Sequence, residues 1–110
     1  MAMTEYVLHP AGEIFSRIKR LQSRMGELTG AMIFESIDLG YFSGTAQDGL
    51  LYIPADGDPV LMIRKSLERA REESPLAAQP LRSMKTLRDD LHLPPSARIG
   101  LEMDVLPCNN

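Results

Sequence analysis

Few residues in this sequence are placed where they could do chemistry together. The two histidines, His9 and His92, stand far apart, and neither has a second ligand type at the i, i+4 spacing that puts two donors on one helix face for zinc. Asp56-Gly57-Asp58 lacks the further oxygen ligands and the closing glutamate of a calcium loop, and reads as a tight turn. The acid pairs Glu72-Glu73 and Asp89-Asp90 are adjacent in sequence. On a helix, neighbours point about 100° apart, so each pair reads as solvated surface rather than as a catalytic dyad. Ser43 lies outside any Gly-x-Ser-x-Gly elbow, and no glycine-rich phosphate loop occurs. Cys108 is the single cysteine, so no internal disulfide can form, and no base stands near it in sequence. The residues themselves nominate no catalytic group and no metal ligand.

Composition narrows the classes further. The 110 residues carry 15 acids and 12 bases, with no tryptophan, three tyrosines and three phenylalanines. The densest basic stretch, Arg17, Lys19, Arg20 and Arg24, falls on one side of an expected helix. Nucleic-acid binding calls for a basic stripe and stacking aromatics, so no nucleic-acid partner is expected. A 44% hydrophobic content with a net charge of −3 reads as one globular domain over residues 1–110. The N-terminus lacks the basic and apolar regions of a signal peptide, and the apolar runs fall short of the about 20 residues needed to span a bilayer. No membrane partner is expected, and the cytoplasm is the expected location.

The elements follow from periodicity. Ile14, Ile18, Leu21, Met25 and Leu28 recur at steps of three and four, which predicts a helix with one apolar face, begun near Pro10 and ended by Thr29-Gly30. Ala31-Met32-Ile33-Phe34 is apolar throughout and predicts a strand covered on both faces. Glu35 to Gly44 reads as a loop with a helical turn. Leu50-Leu51-Tyr52-Ile53 and Val60-Leu61-Met62-Ile63 flank Pro54-Ala55-Asp56-Gly57-Asp58-Pro59 and predict an antiparallel hairpin. Ser66 to Glu73 reads as a helix with Ser66 as N-cap. Pro80 to Met84 reads as a short strand. Thr86-Leu87-Arg88-Asp89 resembles a capping box opening a helix closed by Pro94-Pro95, and Arg98 to Glu102 reads as a last strand. The fold class is α/β: a mixed sheet of about five strands containing one antiparallel hairpin, flanked by helices. Asp104 to Asn110 follows the last strand with no helix to cover it, as if a longer chain were cut there. Apolar surface left open by such a cut would favour self-association.

The order of these segments resembles the N-terminal domain of the creatinase, prolidase and aminopeptidase P family. Glu13 to Leu28, with Arg17 and Leu21, looks like the opening helix and Ala31 to Phe34 like the first strand. Asp38-Leu39-Gly40-Tyr41-Phe42-Ser43-Gly44 resembles the family's segment of an asparagine or aspartate, a tyrosine, and a threonine or serine before glycine. Leu50 to Ile63 resembles its hairpin, Glu68 to Glu72 the helix after it, and Arg98-Ile99-Gly100-Leu101-Glu102 the strand near the domain's end.

The resemblance implies a two-domain protein whose C-terminal pita-bread domain, absent from this chain, would hold two divalent metal ions on two aspartates, a histidine and two glutamates. That ligand motif does not occur here, so no catalytic or metal residue is carried over, and no cofactor is expected in this fragment. The parent would be a Xaa-Pro dipeptidase or aminopeptidase. The resemblance also implies partners: the chain's own catalytic domain, a homodimer, and a substrate entrance walled in part by Thr45, Ala46, Gln47 and Asp48. The alternatives are an interaction or scaffold domain of a peptidase-fold protein without peptidase activity, and an accessory domain of a creatinase-like amidinohydrolase.

Overall fold

A computed structural model describes residues 11–45 and 48–101. The elements run α1 (Ala11–Gln22), β1 (Gly30–Ile33), α2 (Ser36–Ser43), β2 (Gly49–Pro54), β3 (Val60–Ile63), α3 (Leu67–Glu73), β4 (Ala77–Pro80), α4 (Leu87–Asp90) and β5 (Ile99–Leu101). Expectations for His9, Pro10 and residues 102–110 lie outside the described residues.

Five strands form one sheet in the order β4-β3-β2-β1-β5. The central pairs β1–β2 and β2–β3 are antiparallel, and the outer pairs β1–β5 and β3–β4 are parallel. This is the mixed α/β sheet that the segment order predicts.

The central strands are apolar at every position because both faces are covered. Ala31, Ile33, Leu51, Ile53, Leu61 and Ile63 turn to one face, where they pack with Ile14, Ile18 and Leu21 of α1, Leu39 and Phe42 of α2 and Ala70 of α3. Their alternate neighbours Met32, Leu50, Tyr52 and Met62 turn to the other. That face is covered by Leu81, Leu87, Leu91 and Leu93. The chain between β4 and β5 crosses from one edge of the sheet to the other, and these leucines are what it buries on the way.

The expected α1 seam is present: Ile14, Ile18, Leu21 and Met25 are all buried. The helix itself stops at Gln22, and tighter turns carry Met25 and Leu28 onto the core past Gly26, whose φ is +59°. Gly30 is therefore not the helix exit. It is the first residue of β1, where a Cβ would come within 2.6 Å of the Tyr52 hydroxyl. The strand accordingly starts one residue early and leaves Phe34 outside it.

Four further expectations are corrected. Glu35 to Gly44 is not a loop with one turn, since Ser36–Ser43 is helical; Leu39, Phe42 and Ser43 at i, i+3 and i+4 are buried, and tertiary packing overrides weak local propensity. The fourth strand is Ala77–Pro80, earlier than Pro80 to Met84, because its register is set by β3 (Val60↔Ala77 through Ile63↔Pro80) rather than by its own apolar pattern. Neither expected cap forms. Ser66 adopts a left-handed backbone (φ 58°) with no side-chain cap, and the Thr86 hydroxyl approaches Asp90 Oδ2 at 3.1 Å while α4 lasts a single turn.

Candidate functional site

The connection from α2 to β2 carries the expected entrance residues, and its described ends are fixed to different elements. α2 ends at Gly44, whose φ of +86° is a left-handed cap and whose N–H donates to the Gly40 carbonyl at 3.0 Å. A Cβ at Gly44 would stand 3.2 Å from the Glu73 carbonyl oxygen and 3.7 Å from Pro75 Cδ, so the end of α2 backs directly onto the end of α3.

Polar side chains fill that junction. Ser43, fully buried, donates to the Leu39 carbonyl and accepts the Thr45 N–H at 3.2 Å. The Thr45 hydroxyl donates to Glu73 Oε1 at 2.5 Å, while Glu73 Oε2 accepts from Arg69 Nε at 3.1 Å. Ser74 Oγ accepts the Leu76 N–H at 3.1 Å.

At the other end, the Asp48 carbonyl accepts the Arg64 N–H at 2.8 Å, and the two side chains, both exposed, approach to 3.9 Å. Gly49 then runs against β3 so closely that a Cβ would lie 2.0 Å from the Met62 carbonyl oxygen.

Of the four expected residues, Thr45 is buried and Asp48 is exposed, and Ala46 and Gln47 lie outside the described residues. Thr45 thus serves as an anchor, not as a surface contact. Glu73, expected on solvated helix surface, is its partner. The contact spans 28 positions of sequence, and no local pattern marks it.

A second polar cluster lines a shallow cleft of about 330 Å³ at the β4 edge, with Arg82, Asp89, Asp90 and His92 on its walls. The Arg82 guanidinium bonded to Asp90 holds that carboxyl below its ordinary value, and the Thr86 hydroxyl adds to the effect. His92 stands at φ 57° just past α4. On the sheet, burial pushes the Tyr52 phenol above its ordinary value.

Among the described residues, no three His, Cys, Asp or Glu side chains come together to hold a metal ion. These residues do not fit the two-metal site that the resemblance implies for a catalytic domain. No described helix is long and apolar enough to cross a membrane.

The buried hydroxyls of the described residues, on Ser43, Thr45 and Ser74, are all hydrogen-bonded within an α/β domain. The chain belongs to the creatinase/prolidase N-terminal domain family, which its sequence matches over residues 17–110.

Solved structures share the fold. The N-terminal creatinase/prolidase-like domain from Corynebacterium diphtheriae superposes with a TM-score of 0.70 at 19% identity, over 86% of this chain and 79% of that one. A proline dipeptidase structure from Streptococcus agalactiae gives 0.66 at 17% identity, over 84% and 80%. Dipeptidase PepE from Mycobacterium ulcerans gives 0.63 at 18% identity, over 89% of this chain but 36% of that longer one. A comparison with curated proteins gives no match.

Proposed function

We propose that this chain is the non-catalytic N-terminal domain of a Xaa-Pro dipeptidase- or aminopeptidase-type hydrolase, with the chemistry residing in a C-terminal domain that binds two divalent metal ions. The carrying observation is the family match over residues 17–110. A dedicated hydrolase answers a chemical need, because proline has no amide hydrogen and a fixed φ and so resists general peptidases. In this reading the domain packs on its own catalytic domain, takes part in a cytoplasmic homodimer, and borders the substrate entrance with the loop Thr45, Ala46, Gln47 and Asp48, of which the buried Thr45 is the anchor. The support for the last role is the family match and the place of these residues between α2 and β2.

The test is hydrolysis by the full reading frame. Protein loaded with Mn²⁺ or Co²⁺ is expected to cleave Xaa-Pro dipeptides or longer Xaa-Pro peptides, and Gln47→Ala with Asp48→Ala is expected to change the preference between them. Cleavage of creatine-like amidines instead, or a folded dimer with no hydrolysis, would overturn the peptidase reading.

A further inference from the structure

The chain between β4 and β5 covers the face of the sheet that carries Met32, Leu50, Tyr52 and Met62. Of residues 82–97, Leu87 alone is buried. Among the described residues, every hydrogen bond and ion pair of this segment is made within the segment itself. Asp90 takes Arg82 and Thr86, Arg88 donates to the Pro94 carbonyl, and the backbone bonds stay inside the same stretch. Only the flanking residues are bonded to the rest of the domain. The Leu81 N–H donates to the Ile63 carbonyl at 2.8 Å, and Arg98 accepts the Thr29 N–H at 2.7 Å while its own N–H donates to Thr29 Oγ1 at 2.9 Å.

The opposite face is built differently. There Gln22 of α1 donates to the Pro54 carbonyl of β2 at 2.7 Å, and Arg71 of α3 donates to the Ala78 carbonyl of β4 at 3.2 Å. Directional bonds tie those helices to the strands. Residues 82–97 are held on the sheet by apolar contact alone, and a segment with little buried surface opens at a lower free energy than the core beneath it.

We propose that residues 82–97 form a strap that lifts from the sheet as a unit while the rest of the domain stays folded, hinged at Leu81 and Arg98. Lifting keeps the strap's own bonds and the ladder of the sheet, so no buried polar group is left unsatisfied. Its cost is the exposure of apolar surface, with Leu87 as the main contact to be lost. Tethers at both ends keep the return intramolecular. The surface it uncovers carries two methionines, whose unbranched thioethers pack against partners of differing shape.

Methionine oxidation by hydrogen peroxide in this chain reads the opening directly. Met84, on the strap, is 49% exposed and gives the unprotected rate, whereas Met62, under the strap, is 0% exposed. The ratio of the Met62 rate to the Met84 rate, from mass spectrometry at early times, is the opening constant. It is expected to exceed the global unfolding constant from urea denaturation by at least about tenfold. Leu87→Ala should raise the Met62 rate by about thirtyfold or more, the low end of a buried leucine-to-alanine loss. If that variant does not fold, Leu87→Val makes the same test with a smaller rise. Ile18→Val, under α1 on the opposite face, should raise the unfolding constant by about two- to tenfold and leave the Met62 rate unchanged. A Met62 ratio equal to the unfolding constant, rising with it in Ile18→Val, would show that the strap leaves only when the whole domain unfolds and would overturn the inference. So would a Met62 rate that does not respond to the Leu87 variants.

Discussion

Arg17 on α1 grips Tyr41 on α2 twice: its Nη1 donates to the Tyr41 carbonyl at 2.8 Å, and its guanidinium carbon lies 4.1 Å from the centroid of the Tyr41 ring. The Tyr41 ring in turn meets Phe42 edge-on at 4.9 Å. One side chain thus joins two helices that lie on the same face of the sheet, beside the start of the candidate entrance. The grip also carries a cost, because Arg17 Nε is buried with no hydrogen-bond partner.

Arg17→Ala is therefore expected to destabilise the domain by about 1–2 kcal/mol, from a lost cation–π contact, a lost hydrogen bond and lost stem packing. Arg17→Met keeps the stem and relieves the unsatisfied nitrogen, and should cost less. The Glu13 contact at 3.3 Å is an i, i+4 surface pair and adds little. Urea denaturation of the three proteins checks the order; a methionine variant as unstable as the alanine one would assign the whole effect to the polar contacts.

Two glycines should respond oppositely to alanine. At Gly49 the new methyl would meet the Met62 carbonyl oxygen at 2.0 Å and Ile63 Cα at 2.9 Å, both backbone-borne atoms that cannot swing away. Gly49→Ala must part β2 from β3 at the foot of the candidate site, and a loss of about 3–5 kcal/mol is expected. At Gly40, inside α2, nothing lies within 4 Å of the added Cβ. Gly40→Ala should gain roughly 0.5–1 kcal/mol from helix propensity alone. Thermal melts of both variants decide it, and a neutral Gly49→Ala would refute the close approach.

The parts of this fold that were legible in the sequence are those where burial is uniform or periodic. β1, β2 and β3 are apolar at successive positions because both faces are covered, and Ile14, Ile18 and Leu21 mark the covered face of the first helix. α2 and β4 were not legible, since each is defined by a partner far away in sequence: α2 by Arg17 and the core beneath Leu39 and Phe42, β4 by its register on β3. The candidate site divides in the same way. Thr45 and Asp48 are singled out by the family resemblance and by their place between two strands. Glu73 is not, because an acid at the end of a charged helix reads as surface until the fold brings Thr45 to it.

The Arg82–Asp90 pair makes acid stability measurable. Asp90 is the enclosed partner, with its side chain 10% exposed, while that of Arg82 is 70% exposed. The hydrogen bond from Arg82 holds the Asp90 carboxyl below its ordinary value in the folded state. A carboxyl with a lowered folded pKa binds its proton more readily when the chain unfolds. Its contribution is complete above the unfolded value of about 3.9 and is lost as pH falls through the lower folded value. Asp90→Asn removes this term, so the variant should lose less stability than the parent between about pH 4 and pH 2. Near neutral pH it should be the less stable of the two, since the amide cannot replace the charge-assisted bond to Arg82 or the contact to Thr86. Paired melts across that range check both limbs, and parallel acid limbs for the two proteins would mean that the exposed guanidinium is screened and the pair contributes nothing in solution.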